Sequence, residues 1–384
     1  MPDEVTAAAA HDADAAGAGV SAEAREVLGP FTGPAVLTPV THNPHNGVTA
    51  GVWAVTAGER SAVLKVLTRR KGATGHWAAS DDPRHWNYWR READVYVSGL
   101  ARVWQPHGIR APRLLARVER PDGDVALWLE RVPGEPGTRW TLDRHVEHAR
   151  RLGAAQGAVG ETADRPWLSR RFLREYTDGM TPGRELLDDD EAWRHPLVRD
   201  HFPAGLRQDM VRLHHDREWF LRIMESLPRA FSHLDMWPAN VRADGPDTVL
   251  LDWAFAGDGA LGEDLGNYLP DSVFDLFVPA ARLPGYATAA YDAYLHGLRE
   301  SGWKGDERLV RLAVCASAVK YDWITGLMLA RAGEAQLDYG GGRPVSPELR
   351  YRERGSTLAF LAEWAAEART LAPRLGFAQA PSGR

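Results

Sequence analysis

The spacing of hydrophobic and polar residues divides the chain into a β-rich first part and a helical remainder. Between residues 35 and 131, short runs of alternating or β-branched residues predict strands. These runs are VLTPVT, GVWAVTA, SAVLKVL, RLLARVER and DVALWLERV. One helix is expected among them, over residues 86–100, because Trp89, Ala93 and Tyr96 fall on one helical face.

After Pro133 and Gly134 the hydrophobic spacing becomes helical. Helices are predicted at Asp143–Val159, at Pro203–Leu227, and at about 285–300, 306–332 and 355–371. One short β-like run, Asp247–Trp253, interrupts them. The pattern therefore predicts an α+β chain, with a small β-rich part over residues 21–131 and a larger helical part over residues 132–375.

Both ends of the chain are expected to be disordered tails. Residues 1–20 are rich in Ala, Asp and Gly and contain almost no bulky apolar side chains, and residues 376–384 are similar. The first residues carry acids where an export signal carries basic groups, so no export signal is expected. The single Cys315 excludes an internal disulfide and a cysteine-rich zinc site, which favours the cytoplasm.

Composition excludes some classes of partner. The 384 residues include 52 Asp+Glu and 46 Lys+Arg, a formal net charge of -6. A mildly acidic chain is not typical of duplex-DNA binding, which needs a basic face. No apolar run approaches the roughly 20 residues of a membrane-spanning helix. We therefore expect neither a nucleic acid nor a membrane as partner, and the oligomeric state stays open.

One stretch carries the residue types that phosphoryl transfer requires. It contains His233, Asp235 and Asn240 in the pattern His-x-Asp-x-x-x-x-Asn, followed by an apolar run that ends at Asp252. A carboxylate on a short loop can orient a hydroxyl and accept its proton, the role expected for Asp235. Asn240 and Asp252 can supply oxygen ligands to Mg²⁺. His233 is expected to bond backbone, and Asp264 to cap the helix that follows.

The segments HLDMWPAN and LLDWAF resemble those of the aminoglycoside phosphotransferase and choline kinase-like enzymes, whose fold is that of a protein kinase. The resemblance implies a two-lobed protein-kinase-like fold. Its small β-rich N-lobe binds nucleotide, and its larger, mainly helical C-lobe holds the catalytic loop and the acceptor site. The resemblance also implies ATP as the phosphate donor, with GTP as an open alternative, and Mg²⁺ as the metal.

Three landmarks upstream of the motif match this family. Lys65 in SAVLKVL matches the strand lysine that binds the phosphates, and Glu92 in WRREADVY matches the helix glutamate that pairs with that lysine. The run LWLERVPGEPG matches the strand that leads into the adenine-binding hinge. The backbone of Glu130 to Val132 is the adenine contact that the resemblance implies. With the catalytic motif, these landmarks cover roughly residues 35–270.

The chain departs from the family pattern in three places. The loop HNPHNGVTAG between the first two strands is not Gly-x-Gly-x-x-Gly. An aromatic insertion, residues 68–89, separates Lys65 from Glu92 and is expected at the surface; it leaves Asp94 as an alternative partner for the lysine. The triplet Asp-Trp-Ala replaces Asp-Phe-Gly, and no Ala-Pro-Glu follows, which disfavours a protein kinase.

Four residues are candidates for binding the acceptor. Trp237 lies two residues after Asp235 and could stack on a substrate. Tyr321, Asp322 and Trp323 fall on a late helix, where the resemblance implies acceptor-binding groups. The alternative for all four is ordinary packing in the core.

Charge gives one indication of the acceptor. Residues 231–330 hold 14 Asp+Glu and 7 Lys+Arg, a net charge of -7, which favours a cationic acceptor. The expected function is ATP-dependent O-phosphate transfer to a hydroxyl of a small molecule. The acceptor is either an antibiotic such as an aminoglycoside or a metabolite such as an amino sugar, a sugar or a choline-type alcohol. A catalytically silent nucleotide-binding protein is the alternative from another class.

Overall fold

The strand runs of the N-lobe pair into one antiparallel sheet in this computed structural model, which describes residues 19–160, 165–337 and 344–381. The first six strands are β1 (Val36–Pro39), β2 (Thr49–Ala57), β3 (Arg60–Leu67), β4 (Ile109–Arg110), β5 (Leu114–Glu119) and β6 (Val125–Glu130). Five of them form the sheet in the order β1-β2-β3-β6-β5, while β4 pairs with a strand of the C-lobe. The strands predicted from the alternation are confirmed.

The alternation of side chains along β3 gives this strand two different faces. Ala62, Leu64 and Val66 are buried in one cluster with Trp128 of β6. Lys65 lies between them in sequence, so its side chain is on the opposite face of the sheet. That face is turned toward the C-lobe, and the lysine is buried there.

A helix, α1 (residues 19–28), covers the other face of the sheet. Ala24 is buried in the same cluster as Trp128, and Glu23 accepts a hydrogen bond from the indole Nε1 of that tryptophan. The first two residues of α1 belong to the predicted N-terminal tail, and the rest of that tail lies outside the described residues. The helix is therefore anchored to the sheet by both packing and a side-chain hydrogen bond.

The C-lobe is mainly helical, as the hydrophobic spacing predicts. The N-lobe, which precedes it in the chain, contains one further short helix, α2 (Arg91–Val97). Its first helices are α3 (Leu142–Val159), α4 (Phe172–Gly179), α5 (Asp190–Arg194), α6 (Pro196–His201), α7 (Leu206–His215) and α8 (Arg217–Ser226). Those after the catalytic motif are α9 (Glu263–Phe274), α10 (Leu283–Glu300), α11 (Glu307–Ala316), α12 (Asp322–Ala330) and α13 (Pro347–Arg374).

Short strands between α8 and α9 present the catalytic motif. The C-lobe strands are β7 (Arg229–Ser232), β8 (Val241–Asp244), β9 (Asp247–Leu250), β10 (Gly257–Ala260), β11 (Gln336–Leu337) and β12 (Pro344–Val345). β7 pairs with β10, β11 pairs with β12, and β9 lies between β4 and β8. The predicted β-like run after residue 247 therefore becomes β9, which connects the C-lobe to β4.

Two predicted helices are broken in the structure. The run predicted as Pro203–Leu227 is divided at Asp216, whose buried carboxylate accepts a hydrogen bond from Nε of Arg369 at 2.7 Å. The run predicted over 306–332 contains a 3₁₀ turn, Ser317–Tyr321, between α11 and α12. Contacts with distant elements outweigh local helix propensity at both positions.

The stretch Glu307–Ala330 is long and apolar enough to cross a membrane, the one such stretch in the described part of the chain. However, 89% of its apolar window is buried inside the protein. Its apolar residues therefore pack against other helices of the C-lobe, as a core helix does.

The described part of the second predicted tail is attached to the C-lobe. The indole Nε1 of Trp219, on α8, donates to the carbonyl oxygen of Ala378 at 2.8 Å. Phe377 packs against the C-lobe core. Phe377 and Ala378 therefore have partners in the C-lobe, and residues 382–384 lie outside the described residues.

α3 and α10 cross closely because glycines lie where the two helices touch. A Cβ on Gly153 would overlap the carbonyl oxygen of Tyr294, and a Cβ on Gly297 would overlap that of Arg150. The crossing also brings together two polar side chains, since the hydroxyl of Tyr294 donates to Oε1 of Gln156 at 2.5 Å. The pair of Tyr294 and Gln156 supports the catalytic loop.

We expect Gly297→Ala to lower the free energy of unfolding by about 2 kcal/mol or more, because the added methyl group forces the two backbones apart. Gly285→Ala on the same helix is the control, since no atom lies within 4 Å of its added Cβ. Replacing that helical glycine should stabilise the protein by about 0.5–1 kcal/mol. Urea unfolding measures the free energy of unfolding of both variants. Equal effects of Gly297→Ala and Gly285→Ala would show that the helix crossing does not require glycine at position 297.

Candidate active site

Two loops of the C-lobe carry the predicted catalytic residues. The loop between β7 and β8 holds His233, Asp235 and Asn240, and the loop after β9 holds Asp252. Leu234 and Asp252 have positive φ angles of 65° and 56°, a region that residues other than glycine rarely occupy. Such backbone persists where surrounding contacts maintain it. Both loops are indeed held by buried hydrogen bonds.

The ammonium group of Lys65 joins the two lobes. Its Nζ lies 2.6 Å from Oε2 of Glu92 on α2 and 2.7 Å from Oδ1 of Asp252. Burial lowers the pKa of Lys65, but the charges of Asp252 and Glu92 outweigh burial and raise this pKa above its usual value. The lysine is therefore charged, and its helix partner is Glu92 and not Asp94.

Asp235 and Asn240 are bonded to each other within the catalytic loop. Nδ2 of Asn240 donates to Oδ2 of Asp235 at 2.8 Å and to the backbone carbonyl of Asp235 at 2.9 Å. Burial and then the charge of Asp252 raise the pKa of Asp235 to about 7, while Lys320 opposes this rise. A divalent cation next to these carboxylates would lower that pKa.

A buried carboxylate holds the catalytic loop in place. Asp264 is fully buried and accepts hydrogen bonds from the backbone N–H groups of His233 at 2.9 Å and Leu234 at 2.8 Å. Nε2 of Gln156 donates to the same carboxylate at 3.0 Å, and Tyr294 orients Gln156. The expectation that Asp264 caps α9 is wrong, because it lies inside the first turn and bonds the loop instead.

His233 links the two catalytic loops. Its Nε2 lies 2.9 Å from the carbonyl oxygen of Leu251, directly before Asp252. The pKa of His233 is lowered to about 4, mainly because the ring is buried. The ring is therefore neutral at physiological pH. The imidazole therefore donates this bond and keeps the Asp235 loop at a fixed distance from Asp252.

The expected adenine hinge follows β6. The backbone N–H of Glu130 donates to the carbonyl of Arg113 at 2.9 Å, and the Glu130 carboxylate accepts from Arg110 at 2.9 and 3.1 Å. Val132 is buried, and its backbone N–H donates to none of the described residues. The amide of Val132 is therefore available to a bound base, whereas the amide and side chain of Glu130 are engaged.

Asp322, predicted to bind the acceptor, has basic partners inside the C-lobe. Its carboxylate is fully buried and lies 3.2 Å from Nη2 of Arg184 and 3.1 Å from Nδ1 of His214. Nε of Arg217 lies 3.7 Å from Oδ2 of the same Asp322 carboxylate. Asp322 therefore neutralises a basic group of side chains inside the C-lobe.

The other three acceptor candidates have different positions. Tyr321 is buried, and its hydroxyl donates to the carbonyl of Asn267 at 2.8 Å. Trp323 packs against the C-lobe core, with its indole Nε1 buried. Trp237 is partly exposed, and its ring lies 6.4 Å from that of Phe277. Tyr321 and Trp323 therefore pack the core, and Trp237 keeps an accessible face near Asp235.

A model of the phosphotransferase enzyme family matches residues 43–304, more than half of the chain. The chain belongs to this family. The match extends from the β1–β2 loop to the end of α10 and includes Lys65, Glu92, the hinge and the catalytic motif up to Asp252. A comparison with curated protein sequences found no match.

Three solved structures are similar to this phosphotransferase. A choline/ethanolamine kinase family protein from Mesorhizobium loti is 18% identical, with 88% of this chain and 95% of that chain covered and a TM-score of 0.46. An amicoumacin kinase in complex with AMP-PNP and Ca²⁺ is 13% identical, with coverage of 83% and 87% and a TM-score of 0.49. A thermostable mutant of aminoglycoside phosphotransferase APH(4)-Ia, with AMP-PNP and hygromycin B, is 13% identical, with coverage of 90% and 99% and a TM-score of 0.44.

The aromatic insertion of this phosphotransferase is exposed over part of its length, as expected, but its end is buried. Trp86 is 2% exposed, and its ring stacks on that of His76 at 4.6 Å. The same indole lies 5.6 Å from the ring of Tyr176, on α4 of the C-lobe. Residues 68–89, which we call the bridging segment, therefore reach from the N-lobe to the C-lobe, because the ring of Trp86 is buried against Phe172 and Tyr176 of α4.

Arg91 fastens the bridging segment, a role that the sequence pattern does not indicate. This side chain is fully buried. It donates to the backbone carbonyls of five residues in both lobes: Pro83, His85, Trp86, Trp167 and Ala254. Burial lowers the pKa of Arg91 to about 10, so the cation persists at neutral pH. These bonds also explain why α2 begins at Arg91 and not at the predicted residue 86.

Asp271 and Lys320 form a second pair near Asp235 that sequence reasoning missed. Nζ of Lys320 lies 3.3 Å from Oδ2 of Asp271, and both charges act on the pKa of Asp235. Asp271 is on α9, and Lys320 is in the 3₁₀ turn 49 residues later. No local motif connects them, so only the fold brings them together.

We expect Asp264→Ala to lower the free energy of unfolding by about 2–4 kcal/mol, because two buried N–H groups of the catalytic loop lose their acceptor. Asp292→Ala is the control, since Asp292 is exposed on α10, and it should change stability by less than about 0.5 kcal/mol. Urea unfolding compares the two variants. A loss for Asp264→Ala no larger than that of the control would contradict the assigned role.

Proposed function

We propose that this chain transfers the γ-phosphate of ATP to a hydroxyl group of a small molecule in the cytoplasm. The observation that carries the proposal is that two pairs, Lys65 with Asp252 and Asn240 with Asp235, are joined by a bond between the two catalytic loops. The backbone N–H of Leu251, directly before Asp252, donates to the carbonyl of Asn240 at 2.7 Å. Family membership supports phosphotransferase chemistry. The residue types at the junction support the individual roles.

Lys65 and Val132 are the groups proposed to hold the nucleotide. Lys65 carries a persistent positive charge on the inner face of the sheet, where it can pair with phosphate oxygens. The available amide of Val132 can donate to an adenine ring at the other end of the cleft. Glu92 keeps the lysine extended toward Asp252 by its contact at 2.6 Å.

Asn240 and Asp252 fit a magnesium ion by their donor atoms. Lys65 contacts Oδ1 of Asp252, which leaves Oδ2, and the bonds of the Asn240 amide nitrogen leave its Oδ1. Mg²⁺ takes oxygen ligands and is commonly held by one or two protein groups together with substrate phosphates. When bound, the ion neutralises charge that develops on the transferred phosphoryl group.

Asp235 is the proposed general base. Asn240 holds Oδ2, so Oδ1 is the oxygen that can accept the proton of an acceptor hydroxyl. The hydrogen bonds of Asp264 to the loop backbone fix the position of Asp235. A catalytically silent protein would not require the lysine to be kept on one metal ligand and the base on the other.

The charge argument for a cationic acceptor weakens in the folded protein. Many acids of residues 231–330 pair with arginines from outside that window. These pairs include Asp244–Arg110, Asp247–Arg151, Asp275–Arg354, Glu300–Arg150 and Asp322–Arg184. The net charge of the window therefore overstates the negative field at Asp235.

We expect Asp235→Ala to lower ADP release at least about 100-fold, because the acceptor loses its base. The Kd for Mg·AMP-PNP should change by less than about threefold, because Asp235 is not assigned to the nucleotide. A coupled assay of ADP release and calorimetry measure the two quantities. Normal turnover in this variant would remove Asp235 as the base.

Asp252→Ala should lose nucleotide affinity and activity together, since both a metal ligand and a partner of Lys65 disappear. We expect the Kd for Mg·AMP-PNP to rise about tenfold or more. Asp247→Ala, at the start of the same β9 strand, is the matched control and should leave the Kd unchanged. Unaltered Mg·AMP-PNP binding by Asp252→Ala would contradict the assignment of the metal site.

A further inference from the structure

The bridging segment has a closely packed contact with α4. The ring of Tyr176 lies 5.4 Å from that of His76 and 5.6 Å from that of Trp86. Gly179, one turn further along α4, lies against His76 so closely that a Cβ there would overlap the imidazole. The rings from the N-lobe and from α4 therefore form one aromatic cluster.

The position of this cluster is fixed relative to the catalytic loops. Oε2 of Glu175 accepts a hydrogen bond from the backbone N–H of Trp86 at 2.8 Å. Arg91 donates to the carbonyl of Trp86 at 2.5 Å and to that of Ala254 at 3.2 Å, two residues after Asp252. The bridging segment is therefore held by hydrogen bonds to both the backbone N–H and the backbone carbonyl of Trp86.

The cluster lies beside the proposed base. It includes Leu234, which directly precedes Asp235, and its partly buried members are Trp77 and Tyr176. Burial and the charges of Asp271 and Asp235 raise the pKa of Tyr176, as expected for a phenol near these carboxylates. Trp77 and Tyr176 are therefore the partly buried rings of the cluster that contains Leu234.

The polar groups near Asp235 carry little net charge apart from the base and the metal ligand. Lys320 and Asp271 neutralise each other at 3.3 Å, with 9% and 23% of their side chains exposed. Together they offer both hydrogen-bond donors and acceptors to a hydroxylated molecule.

We propose that the bridging segment and α4 form an aromatic wall of the acceptor site, and that the acceptor is an uncharged, hydroxylated molecule with one flat face. Nucleosides and glycosides share this chemistry. The rings of Trp77 and Tyr176 lie at 77° to each other, so the flat face stacks on one of them and meets the other at its edge. The hydroxyl groups bond Asp271 and Lys320. This inference rests on the proposed function, because it concerns the acceptor site of that reaction.

The test measures binding without requiring transfer. Calorimetry on the full chain saturated with Mg²⁺ and AMP-PNP compares four probes, each up to about 10 mM: uridine, methyl β-glucoside, kanamycin and choline. We expect one of the neutral probes to bind more tightly than kanamycin and choline. Which of the two binds distinguishes a nucleoside acceptor from a glycoside acceptor.

Substitutions of the aromatic residues test whether they form a wall of the acceptor site. Tyr176→Ala should weaken binding of the neutral probe about tenfold or more, and Tyr176→Phe less than about threefold. Trp77→Ala is the second variant, in case Tyr176→Ala does not fold. Phe360→Ala is the matched control, because the ring of Phe360 packs on Trp364 of α13; it should leave binding unchanged. None of these substitutions should alter the Kd for AMP-PNP.

Three results would overturn the inference: tighter binding of kanamycin or choline, binding of neither neutral probe, or equal effects of the wall variants and Phe360→Ala. Failure of the proposed function is a separate result. In that case Asp235→Ala would leave ADP release unchanged, whatever the probes show in the binding measurement.

Discussion

The two ion pairs of Lys65 are the interaction on which the rest of this structure depends. The lysine is on β3, Glu92 is on α2, and Asp252 follows β9, so one buried ammonium determines how three separate elements meet. A buried charge is strongly destabilising unless opposite charges and hydrogen bonds surround it. Arg91, next to Glu92, applies the same principle with backbone carbonyls in place of carboxylates. The junction of the lobes therefore contains two buried cations, each of which has partners in both lobes.

α9 organises the catalytic loop and its surroundings from a single helix. Asp264 and Asp271 are two turns apart, which places them on the same helical face. The first accepts two backbone amides of the loop, and the second pairs with Lys320 beside Asp235. The left-handed backbone at Leu234, which costs about 1–3 kcal/mol, is maintained by these bonds. Stability of the C-lobe and geometry of the site are thus carried by the same buried carboxylate.

The parts of the fold and of the site that could be predicted from the sequence are those that depend on neighbours in the chain. Alternation predicted the strands of the N-lobe, and on β3 it set Lys65 apart from its apolar neighbours. The short spacing between Asp235 and Asn240 allowed their roles to be assigned, because one loop carries both. Helix bounds were less predictable: the break at Asp216 depends on Arg369, more than a hundred residues away.

The sequence by itself determined the order of the elements and the chemical groups of the catalytic motif, because both depend on local spacing. The tertiary structure decided which of those groups are available. It buried Asp322 among basic side chains, brought Lys320 close to Asp235, and buried Trp86 between the lobes. It also paired the acids near the motif with arginines from other parts of the chain. Electrostatics and burial depend on distances in space, so a count of charges along the chain does not give the field at the site.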